Sequence, residues 1–436
     1  MKKRIKIFLA LALIVSTLAL SSCNLAGLSS IGGAGGEDYM TREEVEELLE
    51  GLDKNITVNG GDNLDININS SSDGNLLAAS KGLLSAVSVI CNFQITKHYY
   101  GGGFMSGSTK TEQATSAGAG VIYQLDKEAG DAYIITNFHV VYHKSSNTED
   151  KISDDIKVYL YGQEYERYAI SAEYIGGSSN YDIAVLKVEG SQVLTESIAR
   201  AADFADSKQV AVLDTAIAIG NPEADGISAT VGAVNVDSEE LTMTNVQETG
   251  SITLRVMRID VAVNGGNSGG ALFNAKGEVI GIVNAKMSDS SIDNIGYAIP
   301  SNVAKNVADN IIYYDSVDPD CDSVMRTIIG IEPGINKAYS IYDEQTGKVH
   351  KMEQVVVANV TSGSAAYGKL NSGDILKSVT IDGKSYEITR KFDVFDAMLK
   401  VKNSDEYKST VSFRIERDGR EMTVTVDISG VTPQAW

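Results

Sequence analysis

Residues 264–272 read Asn-Gly-Gly-Asn-Ser-Gly-Gly-Ala-Leu, a loop in which glycines stand on both sides of one serine and after which an apolar run begins. A serine hydroxyl becomes a good nucleophile only when a neighbouring base takes its proton. The glycines before Ser268 allow backbone conformations that other residues avoid, so that successive N–H groups can point into one oxyanion hole. Taken alone, the segment is equally well explained as a glycine-rich hairpin with an incidental serine.

A histidine and an acid occur upstream, each beside an apolar run. His139 follows the segment Ile-Ile-Thr-Asn-Phe, and Asp182 precedes the segment Ile-Ala-Val-Leu. Burial of a carboxylate is costly unless a donor satisfies it, and an imidazole N–H is a suitable donor. Each segment alone has a structural explanation, but the three together predict a catalytic triad.

Short alternating apolar runs separated by Gly, Asn, Asp and Ser recur from about residue 76 to residue 300. This spacing predicts an all-β barrel or sandwich. A helical pattern from 301 to about 314 closes this first domain. Five strand-like runs and one helical run, at 394–401, then predict a second, mixed domain.

The sequence resembles the HtrA (Deg) group of chymotrypsin-like serine proteases. Thr-Asn-Phe-His-Val, Asp-Ile-Ala-Val-Leu and Gly-Asn-Ser-Gly-Gly occur in the family's order, and Ala-Ile-Pro at 298–300 matches the segment that closes its protease domain. The resemblance covers roughly residues 77–430. It implies a mainly β fold, with two six-stranded barrels of the trypsin type over residues 77–315 and a PDZ-like α/β domain over residues 323–430.

The roles of the site residues follow from this chemistry. Ser268 attacks the peptide carbonyl, His139 takes its proton and later gives it to the leaving amine, and Asp182 fixes the imidazole tautomer. The expected oxyanion donors are the N–H groups of Gly266 and Ser268, with Asn267 adding its own amide in some loop conformations. This mechanism requires no metal or other cofactor.

The resemblance also locates a specificity pocket. Its base lies six residues before the nucleophile, at Ala262, and the segment from Asn284 through Ala285 to Met287 is expected to form another wall. An acid that could bind Lys or Arg is missing at position 262. We therefore expect a preference for small or medium apolar side chains.

His143 lies four residues after His139, a spacing that could present two metal ligands on one helical face. The zinc-peptidase pattern places a glutamate directly after the first histidine. Val140 occupies that position, so the sequence favours the serine protease over a metal site.

The segment Arg-Thr-Ile-Ile-Gly-Ile at 326–331 resembles the carboxylate-binding entry of PDZ domains in this family, and later segments resemble further PDZ signatures. A PDZ fold adds an extended C-terminal peptide as a strand to a sheet edge. The expected peptide-binding residues are Ile328, Ile329, Gly330 and Ile331. The alternative is a spacer domain of the same fold with a closed groove.

Residues 1–22 form a predicted lipoprotein signal peptide, with a basic start, an apolar run at 7–20 and the ending Leu-Ser-Ser-Cys. The run is shorter than the roughly 20 residues of a spanning helix. The ending resembles the bacterial lipobox, which implies that Cys23 is lipidated. A leader cleaved without lipidation, or kept as an anchor, is the alternative, and every version exports the chain.

Residues 23–76 form a predicted tether that is rich in Gly and Ser and contains a short acidic helix at 43–50. Residues 55–72 are either one edge strand or loose linker. The expected location is the cell exterior or the periplasm, with the body held to the membrane through Cys23.

The charge balance limits the partners. The chain has 58 acidic and 37 basic residues and a formal net charge of -21. Such an acidic chain is not expected to bind nucleic acid. The resemblance implies unfolded or C-terminally exposed polypeptides as substrates and a homo-trimer or higher assembly. Alternatives are a non-proteolytic chaperone and a regulatory protease with one substrate.

Besides Cys23, the chain has two cysteines. Cys91 lies in an apolar run and is expected to be a buried, small apolar side chain. Cys321 lies among acidic residues. The sequence does not establish a disulfide between them.

Overall fold

The computed structural model describes residues 56–60, 64–68, 73–99, 108–222, 226–285 and 295–436. The signal peptide, Cys23, the acidic helix at 43–50 and Met287 lie outside these residues. The chain divides into two units, Met1–Asn69 and Ser70–Trp436. The described part of the first unit is an antiparallel pair of strands, β1 (Ile56–Gly60) and β2 (Leu64–Ile68), where the sequence suggested one edge strand or linker.

The second unit begins with helix α1 (Asp73–Leu83), four residues before the predicted start of the protease domain. Six strands then form a closed barrel with the order β3-β4-β5-β8-β7-β6. They are β3 (Ala86–Tyr99), β4 (Ser108–Asp126), β5 (Asp131–Thr136), β6 (Asp155–Leu160), β7 (Ile170–Ser178) and β8 (Ile183–Val188). The one-turn helix α2 (Phe138–Val141) follows β5, and α3 (Gln192–Glu196) follows β8.

A second closed barrel has the order β10-β11-β14-β13-β12-β9. Its strands are β9 (Thr215–Gly220), β10 (Ser228–Thr244), β11 (Ser251–Ile259), β12 (Ala271–Phe273), β13 (Val279–Asn284) and β14 (Gly296–Pro300). Closure removes the unpaired edges of each sheet. One apolar cluster joins the barrels, because Val121 and Ile183 of the first pack with Ile219 and Phe273 of the second.

Helix α4 (Ser301–Val317) closes the two-barrel region. It extends three residues beyond the end of the helical pattern predicted from the sequence, at about residue 314. Its apolar face enters the core shared by the two barrels through Val303, Val307 and Ile311. The two-barrel fold predicted from the sequence is therefore confirmed.

The remaining residues include an antiparallel sheet, here called the C-terminal sheet, with the strand order β16-β17-β18-β20-β21 and β19 paired to β18. After β15 (Met325–Arg326), its elements are β16 (Ile331–Asp343), β17 (Lys348–Val360), β18 (Ile375–Ile381), β19 (Lys384–Glu387), helix α5 (Phe392–Met398), β20 (Val411–Arg417) and β21 (Arg420–Val426). The last strand, β22 (Gln434–Ala435), pairs with β15. Helix α5 begins and ends earlier than the helical run predicted at 394–401.

Charged contacts attach the C-terminal sheet to the second barrel. Arg255 of β11 donates to Asp396 of α5 at 2.6 Å, and its guanidinium lies 4.2 Å from the ring centre of Phe392. At the other end, Lys348 of β17 pairs with Asp214 at 2.6 Å. The two regions therefore pack as neighbours with fixed contacts.

An ion pair between a buried carboxylate and a partly exposed arginine stabilises the C-terminal sheet. Arg417 donates twice to Asp374, at 2.6 and 2.7 Å, and Asp374 is 2% exposed. Burial by itself raises the pKa of the Asp374 carboxyl, but the Arg417 guanidinium and the N–H of Asn371 outweigh burial and hold that pKa below its usual value. The pair therefore contributes to the stability of the fold at neutral pH, and protonation of Asp374 in acid removes this contribution.

We expect Arg417→Met to destabilise the C-terminal sheet by about 3 kcal/mol at pH 7, because it leaves a buried carboxylate unpaired. The pKa of Asp374 is lower in the folded state, so the contribution is complete above about pH 5 and is lost as the pH falls through the folded-state value. Urea unfolding at several pH values, followed by far-UV circular dichroism, measures both effects. Arg414→Met is the matched control, because both carboxylates with which Arg414 pairs, those of Glu387 and Glu421, are exposed. Equal losses in the two variants would contradict the prediction.

Two further properties concern membranes and thiols. Among the described residues, no helix combines the length and apolar character that a bilayer crossing needs.

Cys91 and Cys321 are both free thiols. Cys91 is fully buried in the first barrel, as its apolar setting predicted, and burial raises the pKa of its thiol.

Candidate active site

Strand pairing brings the histidine and the acid together. Strands β5 and β8 are antiparallel neighbours, with Thr136 opposite Ala184. The chain leaving β5 therefore lies beside the chain entering β8. His139, on α2, and Asp182, directly before β8, are carried to the same end of the first barrel.

The pair is held by two hydrogen bonds. His139 Nδ1 lies 2.7 Å from Asp182 Oδ2, and the backbone N–H of His139 donates to Asp182 Oδ1 at 2.9 Å. The carboxylate is 3% exposed and the imidazole 17%. A carboxylate at Nδ1 favours the tautomer with its proton there, which leaves Nε2 free to accept a proton.

Asn137 fixes the backbone of the acid. Its Nδ2 donates to the main-chain oxygen of Asp182 at 2.7 Å, and the whole Asn137 residue is buried. Sequence reasoning quoted this asparagine only as part of the histidine motif. A buried amide next to a candidate base is the signal that could have identified its role.

Asn284 contacts the acid. The residue is fully buried, and its Nδ2 donates to Asp182 Oδ2 at 2.6 Å. Its side chain therefore supports the acid, a contact that the sequence did not predict. The assignment of Asn284 to the specificity pocket stays a prediction.

Ser268 lies where the two barrels meet. Its main-chain oxygen accepts a bond from the N–H of Ala119 in the first barrel, and the next residue, Gly269, donates to Val283 in the second. Its Oγ accepts from the N–H of Ala285 at 3.2 Å. Two consecutive residues, Asn284 and Ala285, thus contact the acid and the serine, respectively.

The serine loop and the histidine turn are close neighbours. An added Cβ on Gly118 would lie 3.0 Å from the Ser268 oxygen and 2.7 Å from the side chain of Val140, which follows His139. In the described part of the chain, the Ser268 hydroxyl bonds to Ala285 and not to His139. Catalytic hydrogen bonds commonly tighten only when substrate is bound.

The backbone before the serine has the form that an oxyanion hole needs. Gly266 has a φ of +94°, which favours glycine. Among the described residues, the N–H groups of Gly266 and Ser268 donate to no acceptor, whereas the N–H of Asn267 donates to Asn264 at 3.0 Å. Two N–H groups, one on each side of Asn267, thus have no acceptor in the described structure, whereas the N–H of Asn267 is engaged.

The other pocket residues are placed as follows. Ala262 is exposed, and its main-chain oxygen accepts from Asn267 Nδ2 at 3.3 Å. Ala285 is partly buried and contacts the serine through its N–H. Met287 lies outside the described residues.

The two histidines of the alternative metal site do not share a helical face. Helix α2 ends at Val141, and His143 lies beyond it with its ring 5.4 Å from that of Phe93. Its Nδ1 accepts from the N–H of Ser145. The metal-site alternative, which the sequence disfavoured, therefore lacks the shared helical face that it would need.

We expect Gly269→Ala to destabilise the protein by about 2–4 kcal/mol. Gly269 has a φ of +84°, and an added Cβ would lie 2.2 Å from the Ala119 oxygen and 2.3 Å from Thr136 Oγ1. The control is Gly265→Ala, because the space around Gly265 is open within 4 Å. The midpoint of urea unfolding measures the effect, and equal midpoints for the two variants would show the prediction to be wrong.

Two packed six-stranded barrels, with a glycine-flanked serine and a His-Asp pair at their junction, define the class of trypsin-like serine peptidases. The family model described as a trypsin-like peptidase domain matches residues 118–282. The Serine protease Do-like HtrA of Lactococcus lactis subsp. lactis (strain IL1403) is 30% identical over 387 residues, which cover 84% of this chain and 85% of that protein.

A second relative, the Serine protease Do-like HtrA of Bacillus subtilis (strain 168), is 30% identical over 350 residues and is covered to 71% of its length. The solved structure titled "HtrA-type protease AlgW with tripeptide" is 26% identical, with a TM-score of 0.47 over 82% of this chain and 97% of that one. The chain belongs to the HtrA family of serine proteases, and it is a serine endopeptidase.

Proposed function

We propose that Ser268, His139 and Asp182 are the catalytic triad of this endopeptidase. The observation that carries the proposal is the fixed geometry of the acid, which holds His139 Nδ1 at 2.7 Å from a buried carboxylate oxygen at the junction of the barrels. A protonated imidazole formed during catalysis is stabilised by this carboxylate.

The reaction then has two halves. Ser268 Oγ attacks the peptide carbonyl while its proton passes to His139 Nε2, and the N–H groups of Gly266 and Ser268 bind the developing oxyanion. The imidazolium protonates the leaving amine, and an acyl-enzyme remains. Water, deprotonated by His139, hydrolyses the acyl-enzyme and restores the serine.

Labelling the full chain with a fluorophosphonate probe tests nucleophile, base and oxyanion hole together. We expect a single phosphonylated residue, which peptide mapping places at Ser268. The matched control is Ser88→Ala, a substitution of a buried serine in the first barrel whose Oγ has no hydrogen-bond partner in the structure. That variant should be labelled like the parent chain. A folded parent chain without label, or with label elsewhere, would refute the assignment.

The primary pocket is proposed to take small or medium apolar side chains. In support, the expected base of the pocket is the exposed methyl group of Ala262, which offers no negative charge to Lys or Arg. Digestion of an unfolded protein, followed by mapping of the new termini, tests this. Cuts mainly after Lys or Arg would refute it.

The C-terminal sheet is proposed to be a PDZ-like domain over residues 323–430 that binds the C-termini of polypeptides. Strand β16 is the last strand on its side of the sheet, so a peptide can be added there. In the part of the chain that the structure describes, the N–H groups of Ile329 and Gly330 donate to no acceptor, and Gly330 has a φ of +83°. Ile328 is exposed beside them, and Ile331 begins the strand.

Titration with an apolar peptide tests this binding. A peptide with a free C-terminal carboxylate should bind, and the same peptide ending in an amide should not. Equal binding of both would exclude recognition of the carboxylate.

For the cellular role, we propose cleavage of unfolded or damaged exported proteins by an enzyme anchored through lipid on Cys23 and assembled as a homo-trimer or higher. The resemblance of the leader to a lipobox supports the anchor. A relative named Periplasmic serine endoprotease DegP, from Escherichia coli (strain K12), is 29% identical over 338 residues and supports export.

Cys23→Ser should release the enzyme from the membrane fraction. Activity restricted to one folded protein would instead favour a regulatory protease.

A further inference from the structure

The turn that carries the catalytic acid has an unusual backbone. Asp182 has a φ of +50°, a left-handed conformation that is uncommon outside glycine, although aspartate adopts it more readily than most residues. The turn between β7 and β8 is held at its base by Ser178. The Oγ of Ser178 accepts from the N–H groups of Asn180 and Tyr181 at 3.2 and 3.3 Å.

The Ser178 hydroxyl makes all of the hydrogen bonds that a hydroxyl can make. A hydroxyl has one proton and two acceptor lone pairs, and the two N–H groups of the turn occupy the acceptor side. The proton is donated to the main-chain oxygen of Trp436 at 2.7 Å. Ser178 is 2% exposed, so bulk water does not reach the hydroxyl to replace this acceptor. The orientation of the hydroxyl is therefore set by Trp436.

Trp436 is itself fixed to the protease. Its N–H donates to the Val324 oxygen at 2.9 Å, and the guanidinium of Arg326 lies 4.0 Å from the centre of its ring. The preceding strand β22 pairs with β15, and Met325 of β15 both donates to and accepts from the side chain of Asn310 on α4. The acceptor for Ser178 thus belongs to a chain segment that is attached to the two-barrel core.

We infer that Ser178 is a positioning residue for the catalytic acid, and that β22 with Trp436 supplies the contact that orients it. The inference rests on the proposed role of Asp182. Without the hydroxyl, or without its acceptor, the turn that leads into Asp182 loses hydrogen bonding at its base. This weakens the placement of the carboxylate against His139, although Asn137 still holds the Asp182 backbone. The Ser178 side chain is buried and its three hydrogen bonds are all made within the protein, so we expect kcat to fall while KM is unchanged.

The test uses the full chain and three variants, which are Ser178→Ala, a chain ended after Pro433, and the two changes combined. We expect Ser178→Ala to lower kcat about tenfold with KM unchanged, as for other side chains that orient a catalytic group. The combined variant should lose no more kcat than the more impaired of the two single variants, because both changes remove the Ser178–Trp436 bond. Ser88→Ala is again the matched control and should keep the parent kcat.

A spectroscopic measurement separates positioning from general loss of stability. The low-field proton resonance of the His139–Asp182 hydrogen bond should shift or broaden in Ser178→Ala and in the shortened chain, but not in Ser88→Ala. Unchanged kcat and an unchanged resonance in Ser178→Ala would overturn the inference while leaving the proposed triad in place. Losses that multiply in the combined variant would overturn the link to β22. A parent chain whose activity does not depend on Ser268 would refute the proposed function itself.

Discussion

Replacing Ser268 by alanine is expected to lower kcat by about 10⁶-fold. The proposed acyl-enzyme cannot form without Oγ, and the remaining rate comes only from substrate binding and the oxyanion donors. The N–H groups of Gly266 and Ser268 are unaffected by the change. We therefore expect KM for a peptide substrate to stay within a few-fold of the parent value.

Hydrolysis of unfolded casein by the parent chain and by Ser268→Ala measures this effect. The fold should be retained, because the Ser268 side chain is small and accepts only the N–H of Ala285. The control variant Ser88→Ala, whose substitution lies in the first barrel, should hydrolyse casein at the parent rate. Equal activity of Ser268→Ala and the parent chain would remove Ser268 as the nucleophile.

Replacing Asp182 by asparagine is expected to lower kcat by about 10⁴-fold. Asp182 Oδ1 accepts from the backbone N–H of His139, and Oδ2 faces both His139 Nδ1 and Asn284 Nδ2. An amide has one acceptor end and one donor end, so its NH₂ group must face a donor on one side. The imidazole is then driven toward the tautomer with its proton on Nε2, which cannot take a proton from Ser268.

The rate of fluorophosphonate labelling at pH 7 measures this second effect. It should fall in Asp182→Asn roughly in parallel with kcat, while Ser268 remains the labelled residue. Asp374→Asn is an informative control, because Asp374 is equally buried but belongs to the C-terminal sheet. A labelling rate in Asp182→Asn equal to that of the parent chain would contradict the proposed role of the acid.

The sequence determined the class of fold and the identity of the candidate nucleophile, base and acid. These residues are embedded in local patterns, since His139 and Asp182 adjoin strongly apolar strands and Ser268 is enclosed by glycines. Period-two alternation predicts strands wherever one face of a sheet is buried. Two closed barrels with buried inner faces satisfy that condition along most of their length.

The tertiary structure decided how the supporting residues meet. The family resemblance assigned Asn284 only to a pocket wall, and the structure shows that its side chain also donates to Asp182. Likewise, β22 lies more than a hundred residues from β15, and Trp436 lies 258 positions from Ser178. Contacts between such distant positions depend on how whole barrels and sheets pack, and a local pattern of residues contains no information on that packing. The candidate catalytic residues could therefore be predicted from local sequence patterns. The residues that support them could be identified only from the folded structure.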